Sequence, residues 1–171
     1  MRNNNQKIVV FDLDETLGHF VEFGVFCDVL EEYYNKELSS KEFYDTMNIF
    51  QDFLRPNILK ILSYLKTKKQ NGECDKILIY TNNQGPKEWT QKIQGFFERK
   101  LDYNLFDQII AAYKIDGSIV EPLRTTHDKT INDLLKCANL PETAEICFLD
   151  DLYHPRMDKN NVYYINVTPY T

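Results

Sequence analysis

No stretch of this 171-residue chain approaches the roughly 20 consecutive apolar residues that a bilayer-spanning helix needs, so no membrane span is expected. The opening residues, MRNNNQK, lack the apolar run of a secretion signal, and residues 1 to 6 are polar enough to fray. The four cysteines, Cys27, Cys74, Cys137 and Cys147, show neither C-x-x-C pairing nor metal-ligand spacing with histidine. They are read as reduced thiols of an intracellular compartment, with Cys147, which lies in an apolar run, as a buried one. Cations are outnumbered: 20 Lys and Arg stand against 26 Asp and Glu, and the net charge of −6 argues against a general nucleic-acid binder, whose affinity comes from clustered cations. A local basic groove stays open, but the densest basic group, Lys66, Lys68 and Lys69, suits the C-terminal end of a helix. Internal repeats and low-complexity linkers are also missing. The expectation is one soluble domain over residues 1–171, cytosolic, or nuclear if the host has a nucleus.

What is present is a series of short apolar runs, several of which stop at polar residues. Ile8 to Phe11 end in Asp12, with Asp14 and Thr16 following at alternate positions. KILIYT, residues 76 to 81, ends in Thr81 before Asn82 and Asn83. QIIAAY at 108 to 113 precedes an Asp116-Gly117 turn, EICFLD at 145 to 150 ends in Asp150-Asp151, and VYYINV at 162 to 167 comes last. Runs of this length and composition read as buried strands. Ionised carboxylates are costly to bury unless paired or bound to metal. In a parallel α/β sheet, ligands bind just outside the carboxyl ends of the strands, where both acidic pairs would lie. A divalent cation held by oxygen ligands relieves the repulsion within such a pair; a solvated acidic turn is the plainer alternative. Thr81 likewise suits either a phosphate contact or a turn and helix cap.

Between the runs, helical patterns recur. The stretch HFVEFGVF after Gly18 alternates in part and suggests an extended or hairpin piece; residues 28 to 36 look helical. Ser39 and Glu42 stand at capping-box spacing before Phe43, Met47, Phe50 and Leu54. Arg55-Pro56 opens a helix with Pro56 near its first position and Ile58, Ile61, Leu62 and Leu65 as its buried stripe, ended by Asn71-Gly72. Pro86 starts another with Trp89, Ile93 and Phe97 inward, and Trp89 suits either core or pocket lining. Residues 124 to 128 precede a helix with Ile131, Leu134, Leu135 and Ala138 inward. Lys129 falls in its first turn, where the helix dipole disfavours a cation.

The stretch D-L-D-E-T-L after a buried strand resembles the first motif of the haloacid dehalogenase superfamily. Its form is similar to that in the branch of phosphatases acting on the carboxyl-terminal domain of RNA polymerase II. Thr81 matches the second motif, Lys129 the third, with His127 and Arg124 as neighbouring alternatives for phosphate contact, and Asp150-Asp151 the fourth. The resemblance covers residues 8 to 151 and implies a Rossmann-like, doubly wound α/β fold. Five parallel strands in the order 5-4-1-2-3 are expected, with residues 18–54 as a small insertion, or minimal cap, after the first strand.

It also implies a Mg²⁺-dependent phosphomonoester hydrolase that works through an aspartyl-phosphate. Asp12 would be the nucleophile and Asp14 the general acid and base. Thr16, Thr81, Asn82 and Lys129 would contact the phosphate. Asp12, the Asp14 backbone carbonyl and Asp151 would hold Mg²⁺, with Asp150 as a further ligand or as the residue that orients Lys129. The expected substrate is a phosphoserine or phosphothreonine protein, because about 35 inserted residues are too few for a cap with its own core. The aromatics of the insertion suit packing or the wall of the access path. A sugar or nucleotide phosphatase is the alternative, and a non-catalytic binding module is disfavoured by the completeness of the motifs.

Overall fold

The structure, a computed structural model, describes residues 5–171; most of the N-terminal stretch expected to fray lies outside the described residues. Five strands, β1 (Lys7–Phe11), β2 (Lys76–Tyr80), β3 (Gln108–Ile110), β6 (Glu145–Asp150) and β7 (Val162–Asn166), form one parallel sheet in the order β3-β2-β1-β6-β7. That is the order the resemblance implies. Between β3 and β6, two-residue strands β4 (Lys114–Ile115) and β5 (Ser118–Ile119) make a small antiparallel hairpin around the Asp116-Gly117 turn. The third strand therefore ends at Ile110, three residues before the run suggested.

Side chains alternate across the sheet and feed two cores. Ile8, Val10, Leu78, Tyr80, Ile146 and Phe148 pack against helix α5 (Ile131–Cys137). Phe11, Ile77 and Ile79 face the opposite layer. That layer holds helices α1 (Phe20–Tyr34), α2 (Ser40–Ile49), α3 (Ile58–Gln70) and α4 (Lys87–Leu101), joined on the α2 side by a 3₁₀ turn at Gln51–Phe53. With both faces covered, the central strands must be apolar throughout, which is why their sequences read as continuous hydrophobic runs. Among the described residues, no helix is long and apolar enough to cross a membrane.

Several local expectations are corrected. The stretch after Gly18 is helical, not extended. Phe20, Phe23 and Cys27 are buried at helical spacing, whereas an alternating strand would have placed Glu22 on the same face as Phe20. The capping box is present: Ser39 Oγ accepts from Glu42 N and Glu42 Oε2 accepts from Ser39 N. Helix α2 then ends at Ile49, so Phe50 and Leu54 lie beyond it. Helix α3 starts at Ile58 after Asn57 in the left-handed conformation, leaving Pro56 outside, and Ile61 faces solvent. The lysines at its basic end have local partners: Lys66 donates to Leu101 O, while Lys68 and Lys69 pair with Glu73 and Asp107. Cys147 is half-buried.

The insertion is closed at its neck. Gly18 bridges to Leu54, and His19 N donates to Phe53 O at 2.7 Å. A β-carbon at Gly18 would stand 2.6 Å from that same backbone oxygen and 2.7 Å from the Phe20 ring. A backbone carbonyl cannot rotate away, so Gly18→Ala is expected to destabilise by about 1–3 kcal/mol, as overpacking does. Chemical denaturation should show it as a lower midpoint at unchanged slope; an unmoved midpoint would contradict the close approach.

Candidate active site

Asp12 follows the last residue of β1, and its N–H donates to Leu149 O on β6. The next residues alternate in fate. Leu13 and Leu17 are fully buried in the helical-layer core, which anchors the loop. Asp12, Asp14 and Thr16 are thereby turned the other way, with Glu15 at a positive φ of 59° as the loop bends. The second acidic pair arrives on β6, beside β1 in the sheet. One carboxylate oxygen from each of Asp12, Asp150 and Asp151 lies within 4.8 Å of the others. Asp12 and Asp150 are buried, and Asp151 is half-buried.

Lys129 joins the two strands. Its ammonium donates to Asp12 Oδ1 and, at 2.6 Å, to Asp150 Oδ2. It is itself 2 % exposed and lies over the rings of Tyr80 and Phe148, at 5.7 and 5.9 Å. The sequence placed it in the first turn of α5. It precedes the cap, Thr130, so its ammonium acts in the site rather than against the helix dipole. The backbone before it is organised by Arg124, a buried donor to four carbonyls: Thr81, Ala111, His127 and Asp128. His127 packs on Tyr113.

Asp150 is engaged on both oxygens, since Oδ1 accepts from Leu152 N at 2.8 Å. Burial opposes its ionisation, but contacts from His154 and Lys129 outweigh that and hold it below the usual carboxylate range. It thus holds the Lys129 ammonium from the β6 side. Asp151 is positioned by Thr16, whose hydroxyl donates to Asp151 Oδ1 and accepts from Asp151 N, both at 3.1 Å. Thr16, read from the sequence as a phosphate contact, has its hydroxyl on this carboxylate. Thr81, buried at the end of β2, accepts from Asn83 N through its hydroxyl oxygen, which leaves the hydroxyl proton available. Asn82 is half-buried, and its carbonyl accepts from Gln84.

Two residues that sequence reasoning passed over hold the acidic loop. Asn83 Nδ2 donates to Asp14 Oδ2 at 2.7 Å, while its own Oδ1 accepts from Gly85 N at 2.8 Å, which fixes the amide's orientation. Arg55 donates to the carbonyls of Thr16, Glu15 and Thr168. Their signals were present in Thr81-Asn82-Asn83 and in Leu54-Arg55-Pro56, but without the partners.

The electrostatics leave a deficit of positive charge. Three carboxylates face one ammonium. Burial pushes Asp12 up to about 7; Lys129 opposes this, and the Asp150 and Asp14 charges add to it. Asp14 is also raised, chiefly by burial, against the Asn83 hydrogen bond, and its buried Oδ1 has no hydrogen-bond partner among the described residues. An all-carboxylate donor set suits a hard divalent cation, and a cation would supply the missing charge. No family model matches the chain, and no curated protein matches it. The chain has a Rossmann-like α/β fold with three Asp carboxylates that could hold a metal ion at the carboxyl ends of its central strands.

Proposed function

We propose that the chain is a Mg²⁺-dependent phosphomonoesterase of the haloacid dehalogenase type, acting on phosphoserine or phosphothreonine in proteins. The observation that carries this reading is the Lys129 ammonium shared between Asp12 and Asp150, with Asp14 held two residues from Asp12 by an oriented amide. A structural ion pair has no need of a third and a fourth carboxylate at the same strand ends.

The chain's residues divide the work. An Asp12 oxygen attacks phosphorus in line as the bond to the leaving oxygen breaks, which gives an aspartyl-phosphate. Asp14, its pKa raised by burial, donates a proton to that departing oxygen and so releases an alcohol. The resulting carboxylate takes a proton from water as the water attacks phosphorus, and inorganic phosphate leaves with Asp12 restored. Thr81 Oγ and Lys129 Nζ stabilise the equatorial phosphoryl oxygens, and Asp150 keeps Lys129 aimed. Asp12, Asp151 and the Asp14 carbonyl would hold Mg²⁺, which supplies charge neutralisation for the phosphate when bound. The retained acid and the fixed Asn83 amide favour transfer to water over a purely binding role.

Purified protein assayed with p-nitrophenyl phosphate, phosphopeptides and a panel of phosphometabolites tests this directly. Turnover is expected with Mg²⁺, to be lost in EDTA, and to be poorly supported by Ca²⁺, whose longer bonds and higher coordination number suit in-line transfer less well. Full activity in metal-free buffer would contradict the metal assignment. Asn83→Ala should slow substrates with alkyl leaving groups more than phenolic ones, because only the former depend strongly on Asp14 as an acid. The comparison is read on the burst of released alcohol or phenolate, which precedes the hydrolysis shared by both substrates; equal slowing of both bursts would remove Asn83 from the acid's positioning. A sugar or nucleotide phosphate turned over faster than every phosphopeptide would keep the chemistry and discard the protein substrate.

A further inference from the structure

A cleft of ≈ 470 Å³ opens beside the acidic loop, between α1 and the start of α4. Phe20, Phe43 and Trp89 line its apolar side, and Val21 and Val25, 51 % and 59 % exposed, form a rim. Gly24 sits in the interior of α1, where glycine costs about 1 kcal/mol relative to alanine. A β-carbon there would lie 3.5 Å from the Trp89 ring, so its absence keeps the indole edge open to the cleft.

The charges lining the cleft are one-sided. Lys92 is committed to Leu38 O and to the Phe43 ring, and Glu31 to Leu38 N. Asp28 and Glu88 also line the cleft and have no hydrogen-bond or ion-pair partner among the described residues. Helix α1 carries Glu22, Asp28, Glu31 and Glu32 with no Lys or Arg. Cys27, on the cleft wall, reports the field: burial first, and then the Glu31 and Asp28 carboxylates, push its thiol up to about 12.

Asn83 connects this cleft to the chemistry. It lines the cleft and donates to Asp14, the acid that serves the leaving oxygen in the phosphatase reading, so the cleft reaches the acid's end of the site. A second cleft of ≈ 330 Å³, toward β3, also reaches Asn83, so the choice between the two rests on their linings: Gln91, Gln94 and Gln108 line the second, and it has no aromatic residue for an apolar side chain to pack on.

Resting on the phosphatase reading above, we infer that the α1–α4 cleft binds the polypeptide on the leaving-group side and selects segments with a Lys or Arg and an apolar side chain near the phosphorylated residue. The apolar side chain packs on Trp89 and Phe43, and the cation meets Asp28 and Glu88. Such a flank also offsets the repulsion between a dianionic phosphate and a protein of net charge −6.

The test uses the full chain with Mg²⁺, p-nitrophenyl phosphate, and three phosphoserine peptides of equal length whose flanks carry Arg, Ala or Glu beside one Leu. Wild type is expected to favour the Arg peptide over the Glu peptide by at least about tenfold in kcat/KM at low salt, or ~1.4 kcal/mol. The preference should shrink as salt is added. Asp28→Lys combined with Glu88→Lys should flatten or reverse that ratio, with folding checked by the unfolding midpoint. Glu142→Lys, an exposed change of the same sign just before the amino end of β6, should leave the ratio as it is. The cleft assignment is overturned by a wild-type ratio near one, by a ratio that survives the double substitution, or by a Glu142→Lys change in the logarithm of the ratio that reaches about half that of the double variant, which net charge alone would give because it adds half as much charge. Wild type that fails on p-nitrophenyl phosphate, or that matches Asp12→Asn on it, overturns the phosphatase reading itself.

Discussion

Asp12→Asn is expected to leave the fold standing and to lower turnover by at least about 10³-fold, or about 4 kcal/mol in the barrier. An amide has the carboxylate's shape, and its oxygen can still accept from Lys129, but it is a poor nucleophile toward phosphorus. The same substitution has a second, independent readout. Burial raises the Asp12 carboxyl to about 7 in the metal-free protein, well above its ordinary value of 3.8. A carboxyl raised in this way favours the folded state fully below about 3.8, and that contribution is lost as pH climbs through about 7. Asparagine cannot titrate. In EDTA, the variant should therefore gain stability relative to wild type between pH 5 and pH 8, on the order of what a shifted buried carboxyl contributes. Retained turnover in a clean preparation would remove Asp12 as the nucleophile. Parallel stability curves would instead mean that Asp12 is better solvated than its burial suggests.

The parts of the fold that were legible in the sequence are those set by short-range pattern. Ile8–Phe11, Ile77–Tyr80 and Ile146–Leu149 read as strands because both sheet faces are covered and every position must be apolar. The acids at their ends were legible for the opposite reason, since a carboxylate at the end of a buried run is out of place without a partner. The second half of helix α1 reads as helical, but its first half does not, because Val21 and Val25 are apolar on its exposed side, which blurs the 3.6-residue period. The contacts that complete the site were out of reach for another reason. Asn83 meets Asp14 across 69 residues, and Arg55 meets Thr168 across 113. Neither residue type announces a partner, and only the sheet order brings them together. Thr16 shows the limit from the other side: the residue was singled out, yet its hydroxyl is seen on Asp151.

Lys129→Met is expected to be the most damaging single change to stability. The methionine keeps most of the apolar stem between Tyr80 and Phe148 but removes the ammonium, leaving Asp12 and Asp150 facing each other with side chains 10 % and 1 % exposed. Breaking a buried ion pair by deleting one partner costs about 3–5 kcal/mol, against a total stability of roughly 5–15 kcal/mol for a domain. Without the ammonium, Asp12 rises further above its ordinary range and Asp150 loses one of the contacts that hold it below, so the deficit should widen as pH increases and narrow as pH falls. Adding Asp150→Asn removes one of the two stranded charges and is expected to recover part of the lost midpoint. It should recover none of the turnover, because no cation then faces the phosphoryl oxygens. A Lys129→Met protein with a wild-type midpoint at pH 8 would mean that the ammonium does not hold the two strands' acids together. A double variant no more stable than the single one would place the penalty on Asp12 alone, where Asp12→Asn in the same background should relieve it.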